Sequence, residues 1–499
     1  MEPLTLSGMR RDVVWVALIV GVACLHRFGT DAVFIGLAIW ALTSPLNAFR
    51  AVLIAVPLVY KNPHLGQNGM EVAVLRWVIL LAAGWRIYLG LLRDGRSIYC
   101  VYPIRFLHLF GAVALGATLI VNPSGLPGFF KLAVFVFAAT AILSGSMLVR
   151  PQARQLLSWL LSIGLVYFVG SALLSRTGIG YYDKLAAYAA RTGAAGYEES
   201  VGDGGLMGLL SHSQSFGVYV SIVSIVLFIT AVASVHRKLR WVLLGFSGSG
   251  VALMLMSQTR TAGVAFVGGA ALSMAYLYLV PNRRVRMQRN FSLIQIVGLG
   301  LAVVLTYFGA SAAAGRYPGD IVQAYIDKGR GEGLDLTEAY ANSRGGLIEL
   351  SLFNWRRSPL LGVGFGRNSW EAAGFAQDDD DKGIMRYFSN PNEKGVIWSA
   401  VLEETGVAGF GCFVLFVFSL LRWVHQRGNV LALGVLLVAL LCNMGEMNFF
   451  SMGGLGLFQW ACLGTALAAG EPWPTQAARG SDRPRVSVPQ AVVEKRVSE

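Results

Sequence analysis

The chain has 499 residues, of which 55% are hydrophobic and only 14% charged, and its mean hydropathy is +0.57. A water-soluble domain carries about a quarter of its residues as charges, so this composition excludes an ordinary soluble protein and predicts an all-α polytopic membrane protein. The net charge of +13 is spread over short loops and builds no patch, which speaks against a nucleic-acid partner.

MEPLTLSGMRRD precedes the first apolar run and no small-residue cleavage site follows it, so the segment is expected to stay with the protein. Apolar runs then follow at 13–25, 32–44, 48–60, 71–92, 104–121, 130–149, 154–174, 215–235, 240–257, 261–281, 291–310, 396–421, 430–448 and 450–469. They predict about 14 (12–14) transmembrane helices, although the first three runs fall short of the roughly 20 residues a crossing needs. Five segments between them, 93–105, 150–154, 236–240, 282–290 and 422–428, are basic and nearly free of acid. All five fall on one side, and the positive-inside rule makes that side cytoplasmic.

The organisation that follows has transmembrane helices at 1–174, a first periplasmic loop at 175–214 and central helices at 215–310. A large periplasmic loop with short helices, expected to be catalytic, spans 311–395. C-terminal helices at 396–470 and a Pro-, Arg- and Ser-rich disordered cytoplasmic tail at 471–499 complete it. The five cysteines lie mostly in apolar runs without CxxC spacing and read as small core residues. No internal repeat of the kind that marks inverted-repeat transporters is visible.

Residues able to carry chemistry gather at the outer ends of the later spans. Arg260, in MLMSQTRTAGVAF, either snorkels to the headgroups or binds a phosphate, with Ser257, Thr259 and Thr261 adding hydroxyl donors. Arg344 opens SRGGLIELSLFNWRRSP, where Leu347, Leu350, Ser351 and Asn354 recur at helical spacing and predict an amphipathic helix at the membrane surface. Arg356 and Arg357 suit its C-terminal dipole. The following LGVGFGRN has the glycines of a close-approach turn, but it follows a helix rather than a strand, which weakens a nucleotide reading.

QDDDDKG, centred on 378–382, reads as a solvated acidic run more readily than as a cation site. In NPNEKG, ending at Gly395, Glu393 and Lys394 stand at a membrane boundary, as a proton-transfer carboxylate beside a phosphate contact or as an ordinary ion pair. Glu403 and Glu404 lie ten residues further on, where a carboxylate is costly, and Glu404-Thr-Gly also suits a helix break. His212 and Gln214 edge the eighth span, and Arg76 and Arg86 lie inside the fourth.

Taken in order, these segments resemble the O-antigen ligase and O-antigen polymerase superfamily. LLSHSQSFGVYV is similar to that family's Gly-Leu-Phe-x-His-Pro-Asn-x-Leu-Gly opening of a span, and SQTRTAGVAF to its Ser-x-Ser-Arg segment. SRGGLIELSLFNWRRSPLLGVGFG is similar to its arginine, helix and Pro-Leu-Leu-Gly-Val-Gly-x-Gly, and EKGVIWSAVLEETGVAGF to its closing Leu-x-Glu-x-Gly. The resemblance covers about 205–410. It implies a membrane glycosyltransferase whose donor is an undecaprenyl-pyrophosphate-linked glycan and whose acceptor is a glycan or lipid. The reaction would run at the outer face of the bacterial inner membrane, with other polysaccharide-assembly proteins as possible partners and no cofactor or metal.

Carried over to this chain, the resemblance gives Arg260 and Arg344 the departing pyrophosphate. The family's general base cannot be carried over: either Glu393 takes that role or the reaction depends mainly on leaving-group stabilisation, while Lys394, His212, Gln214, Arg76 and Glu404 are expected to bind substrate. Two departures stand out: no histidine lies nine residues before Glu404, and Ser213 and Gln214 replace the family's proline and asparagine. They imply a divergent polymerase branch rather than a lipopolysaccharide ligase. A flippase or a non-catalytic scaffold are the alternatives from other classes.

Overall fold

The computed structural model describes residues 6–65, 70–122, 126–181, 205–234, 236–280, 344–374 and 394–470, together with 308, 317 and 319. The apolar run 291–310 apart from Phe308, the basic segment 282–290, most of 175–214 and 311–395, Glu393, QDDDDKG and the tail 471–499 lie outside the described residues. The described residues are helical throughout apart from their connections, with no strand among them beyond two isolated bridges, Lys61 to Leu210 and Tyr181 to Leu206.

The helices are α1 (Leu6–Leu25), α2 (Arg27–Thr43), α3 (Pro45–Val59), α4 (Met70–Arg93), α5 (Ile104–Val121), α6 (Leu126–Leu148), α7 (Ala153–Leu174), α8 (Ser213–Ala233), α9 (Arg237–Met256) and α10 (Arg260–Leu279). Then come α11 (Gly346–Arg357), α12 (Ser369–Ala372), α13 (Ile397–Arg427), α14 (Val430–Cys442) and α15 (Leu455–Ala469). Among the described residues, eight helices are long and apolar enough to cross a membrane: α4 to α10 and α13. α3, α14 and α15 are apolar but have only 13 to 15 residues. At 1.5 Å per residue they fall well short of a hydrocarbon core of about 30 Å.

Local chemistry sets several boundaries. Ser44 caps α3 by accepting from Asn47 N, with Pro45 in the first turn. Asn429 caps α14 through Ala432 N and reaches Ala466 O with its amide, tying α14 to α15. α13 ends at Gly428 in the left-handed conformation. The apolar run 430–448 is helical only to Cys442, and 443–454 is a connecting loop.

α8 is the central post. Of its spanning window 89% is buried, against 33% for α4, α5 and α10, which face outward. It packs against α9, α10 and α14, while α5 packs along α13.

Cross-chain bonds divide the connections into two ends. At one, Asn62 N donates to Leu209 O, Leu206 N to Met256 O and Ile397 N to Asn443 O. Arg96 Nη1 reaches Met147 O and Tyr276 meets His425 at the other, which also carries the described basic segments.

Candidate functional site

The first end gathers four segments that are far apart in sequence. Thr259 Oγ1 donates to Ser213 O at 3.0 Å, joining the start of α10 to the start of α8 beside His212. Gly445 presses its α-carbon onto the Thr261 side chain, so a Cβ there would collide with it. From the same 443–454 loop, Glu446 Oε1 takes a hydrogen bond from Arg344 Nη2 at 2.6 Å, with the two side chains 12% and 13% exposed. Gly395 in turn lies against Leu347 and the Arg344 side chain. Segments 212–213, 259–261, 344–347 and 394–396 therefore meet around the 443–454 loop.

Beside this meeting point α13 is broken, and the break is accounted for bond by bond. Gly406 has φ 61° and ψ −169°, a conformation essentially reserved for glycine. A continuous helix would pair Val407 N with Glu403 O and Ala408 N with Glu404 O. Instead Val363 N and Gly364 N donate to Glu403 O (2.8 Å) and Glu404 O (3.1 Å). Val407 N and Ala408 N donate to Pro359 O (2.9 Å) and Leu360 O (3.3 Å). The 359–364 turn thus satisfies the four backbone groups the break exposes, as buried polar groups require.

Its glycines permit this approach. A Cβ on Gly362 (φ +70°) would lie 2.5 Å from Glu403 O, and Gly364 and Gly366 also have positive φ. Further along, Phe365 N donates to Thr118 Oγ1 at 2.9 Å, and the Phe365 ring packs edge-on against Phe450.

The side chains above the break form a buried polar web. Glu403, fully buried, accepts from Asn354 Nδ2 at 2.7 Å and from Ser351 Oγ and Ser369 Oγ at 2.9 Å each. Lys394 Nζ lies 2.8 Å from Glu404 Oε1 and 3.5 Å from Glu403 Oε2, with all three residues at most 2% exposed. Burial pulls the Lys394 pKa down, but the Glu404 and Glu403 carboxylates outweigh it and hold the ammonium above the ordinary lysine value. Glu404 Oε2 is buried without a hydrogen-bond partner among the described residues.

Neither a family model nor a curated protein matches the chain.

The residues singled out from the sequence fall into distinct places. Arg344 and Arg260 belong to segments that meet at the 443–454 loop, and His212 occupies the N-cap position of α8 without a side-chain capping bond. Gln214 is exposed on the first turn of α8. Arg76 Nη1 donates to Gly453 O at 3.0 Å, at the far end of the same loop, and its guanidinium lies over the Trp77 ring.

Lys394 is buried with its ammonium facing Glu403 and Glu404. Two of the hydroxyls beside Arg260 have partners of their own. Ser257 donates to Met254 O and Thr259 to Ser213 O, and both residues are buried, so they fasten the turn. Gln258 between them holds φ 55°, a strained value for a side-chain-bearing residue, which lets α9 reverse into α10.

Glu446 lies inside the apolar run 430–448, whose hydropathy alone predicts a span. Its signal is the polar cluster NMGEMN itself. Ser351 and Asn354 recur at helical spacing, but only the fold shows that they face Glu403. Among the described residues no group of three or more His, Cys, Asp or Glu side chains is placed to hold a metal ion.

Proposed function

We propose that the chain is a glycosyltransferase of the O-antigen ligase or polymerase type. It moves glycan from an undecaprenyl-pyrophosphate donor to an acceptor hydroxyl at the outer face of the bacterial inner membrane. The observation that carries this reading is the meeting of the Arg260 and Arg344 segments, about 80 residues apart in sequence, at one end beside the 443–454 loop. That end lies opposite the described basic segments, which the positive-inside rule assigns to the cytoplasm. In this reading the chain crosses the membrane 12–14 times, with the short apolar helices and the 291–310 run included.

The acceptor oxygen attacks the anomeric carbon from the face opposite the diphosphate. The new C–O bond forms as the bond to the diphosphate oxygen breaks, inverting the centre. The hydroxyl proton passes to a carboxylate, for which Glu393 is the candidate. Arg260 and Arg344 take up the charge that develops on the leaving diphosphate, the planar guanidinium suiting phosphate oxygens. The donor is already activated, so the reaction calls on no nucleotide or metal. Lys394, with Glu403 and Glu404, fastens the start of the 394–396 segment to α13 in this reading rather than touching the donor.

A flippase reading draws on the break in α13, since discontinuous helices coordinate substrates in transporters. Here the four exposed backbone groups are taken by the 359–364 turn, which leaves the break without that use. Lipid-linked repeat units added to the reconstituted protein decide between the readings. Longer or transferred glycan supports the transferase; movement of unmodified lipid across liposomes supports a flippase, and neither product supports a scaffold.

A further inference from the structure

Glu446 stands apart from the other carboxylates at this end of the molecule. Glu403 and Glu404 are buried with Lys394, and Glu403 collects three further donors. Glu446 is instead paired with an arginine 102 positions away in sequence, and both side chains keep some exposure.

The loop that presents Glu446 is braced. Asn443 Oδ1 accepts from Asn448 N and Phe449 N at 2.7 Å each, Asn443 Nδ2 donates to Gln459 Oε1 at 3.0 Å, and Glu446 N donates to Cys442 O at 3.0 Å. Gly445, one residue earlier, is wedged against Thr261, next to Arg260. A fixed carboxylate thus sits between the segments that carry the two arginines.

A guanidinium fork is complementary to carboxylate and to phosphate alike, so the two compete for it. A carboxylate held in contact with the fork orients it in the ligand-free protein and repels an anion that arrives beside it. We propose that Glu446 is the positioning residue of a diphosphate site at Arg344: it holds the guanidinium ready and lowers the site's affinity, so that the diphosphate product leaves. The proposal rests on the transferase reading for its purpose, but the anion site it describes is testable alone.

The test measures binding of inorganic pyrophosphate and, separately, farnesyl diphosphate to the full chain in detergent. Wild type is compared with Glu446→Gln, Arg344→Ala and the double variant. Glu446→Gln is expected to bind diphosphate about tenfold more tightly, the removal of one neighbouring like charge in a partly screened site. The gain should vanish in the Arg344→Ala background, because the two changes act through one contact.

A purely structural role for Glu446 predicts weaker binding or lower thermal stability, never tighter binding. Equal or weaker binding by a stably folded Glu446→Gln overturns the proposal, as does a gain that survives Arg344→Ala. Absence of diphosphate binding in every variant overturns it too. A gain with farnesyl diphosphate alone assigns the site to a lipid-linked diphosphate, and a gain with both to the diphosphate itself. If the coupling is found but no glycan is transferred, the anion site stands and the transferase reading falls.

Discussion

The backbone carbonyl of Glu403 accepts from Val363 N at 2.8 Å, where a continuous helix would have given it Val407. The long polar segment and the re-entering helix are therefore one structural unit at this point. The same residue's carboxylate reaches back to Ser351, Asn354 and Ser369, so side chain and main chain fasten opposite parts of the unit.

Gly406→Ala should be among the most damaging small substitutions in the chain. The conformation at φ 61° and ψ −169° costs a non-glycine residue about 1–3 kcal/mol. The added methyl also meets the Leu360 carbonyl carbon and oxygen. Gly411→Ala, in the same helix with open space around its α-carbon, should be neutral or slightly stabilising. Thermal unfolding of the two variants in detergent checks this, and equal melting temperatures would show that the break does not depend on glycine.

Lys394→Met separates two roles for the lysine. Removing it leaves the Glu403 and Glu404 carboxylates buried without their cation, a loss of about 3–5 kcal/mol for a broken buried pair. A clear drop in melting temperature is expected, partly recovered when Glu404→Gln is added. An unchanged melting temperature with weakened donor binding would return the lysine to a phosphate contact.

The sequence made some of this legible and hid the rest for physical reasons. Apolar runs marked the helices, because lipid-exposed and buried faces both demand apolar side chains. The same signal overran the end of α14: a braced polar turn inside an apolar run changes mean hydropathy little, so Glu446 was hidden. The Ser351, Asn354 and Leu350 spacing announced a helix correctly. Which partner its polar positions met depended on α13, nearly fifty residues away, and local pattern carries no such information. Glu404-Thr-Gly suggested a break, but only the paired backbone of 359–364 explains why it is tolerated.

Orientation is testable at positions the fold leaves exposed. In a background with Cys24, Cys100 and Cys412 replaced, Arg356→Cys should react with a membrane-impermeant thiol reagent in spheroplasts. Asp94→Cys, at the basic end, should react only after the membrane is opened. Labelling of position 94 from outside would place the site end in the cytoplasm and remove the proposed donor from reach.

Arginine geometry gives a further check. If Arg260 and Arg344 grip a diphosphate through their forks, Arg→Lys at either should lose nearly as much glycan transfer as Arg→Ala, because lysine keeps the charge and loses the planar donors. An interfacial anchor would accept lysine. Full transfer by both lysine variants, at normal protein levels, would remove these residues from the diphosphate.

In the proposed transferase, the proton acceptor is found by comparing two residues. Glu393 directly precedes Lys394 in sequence, and Lys394 pairs with Glu404. Glu393→Gln keeps the size and hydrogen-bonding capacity of the side chain while removing its ability to take a proton. Turnover should fall by about 10²–10⁴-fold, the usual contribution of a positioned base, with donor KM little changed. His212 is the competing group, since it sits at the N-cap position of α8 beside the Thr259 turn that leads to Arg260. His212→Ala should therefore retain most of the activity if Glu393 is the base. An inactive His212→Ala beside an active Glu393→Gln, both folded to the same melting temperature, would move the base to the start of α8 and leave Glu393 without a chemical role.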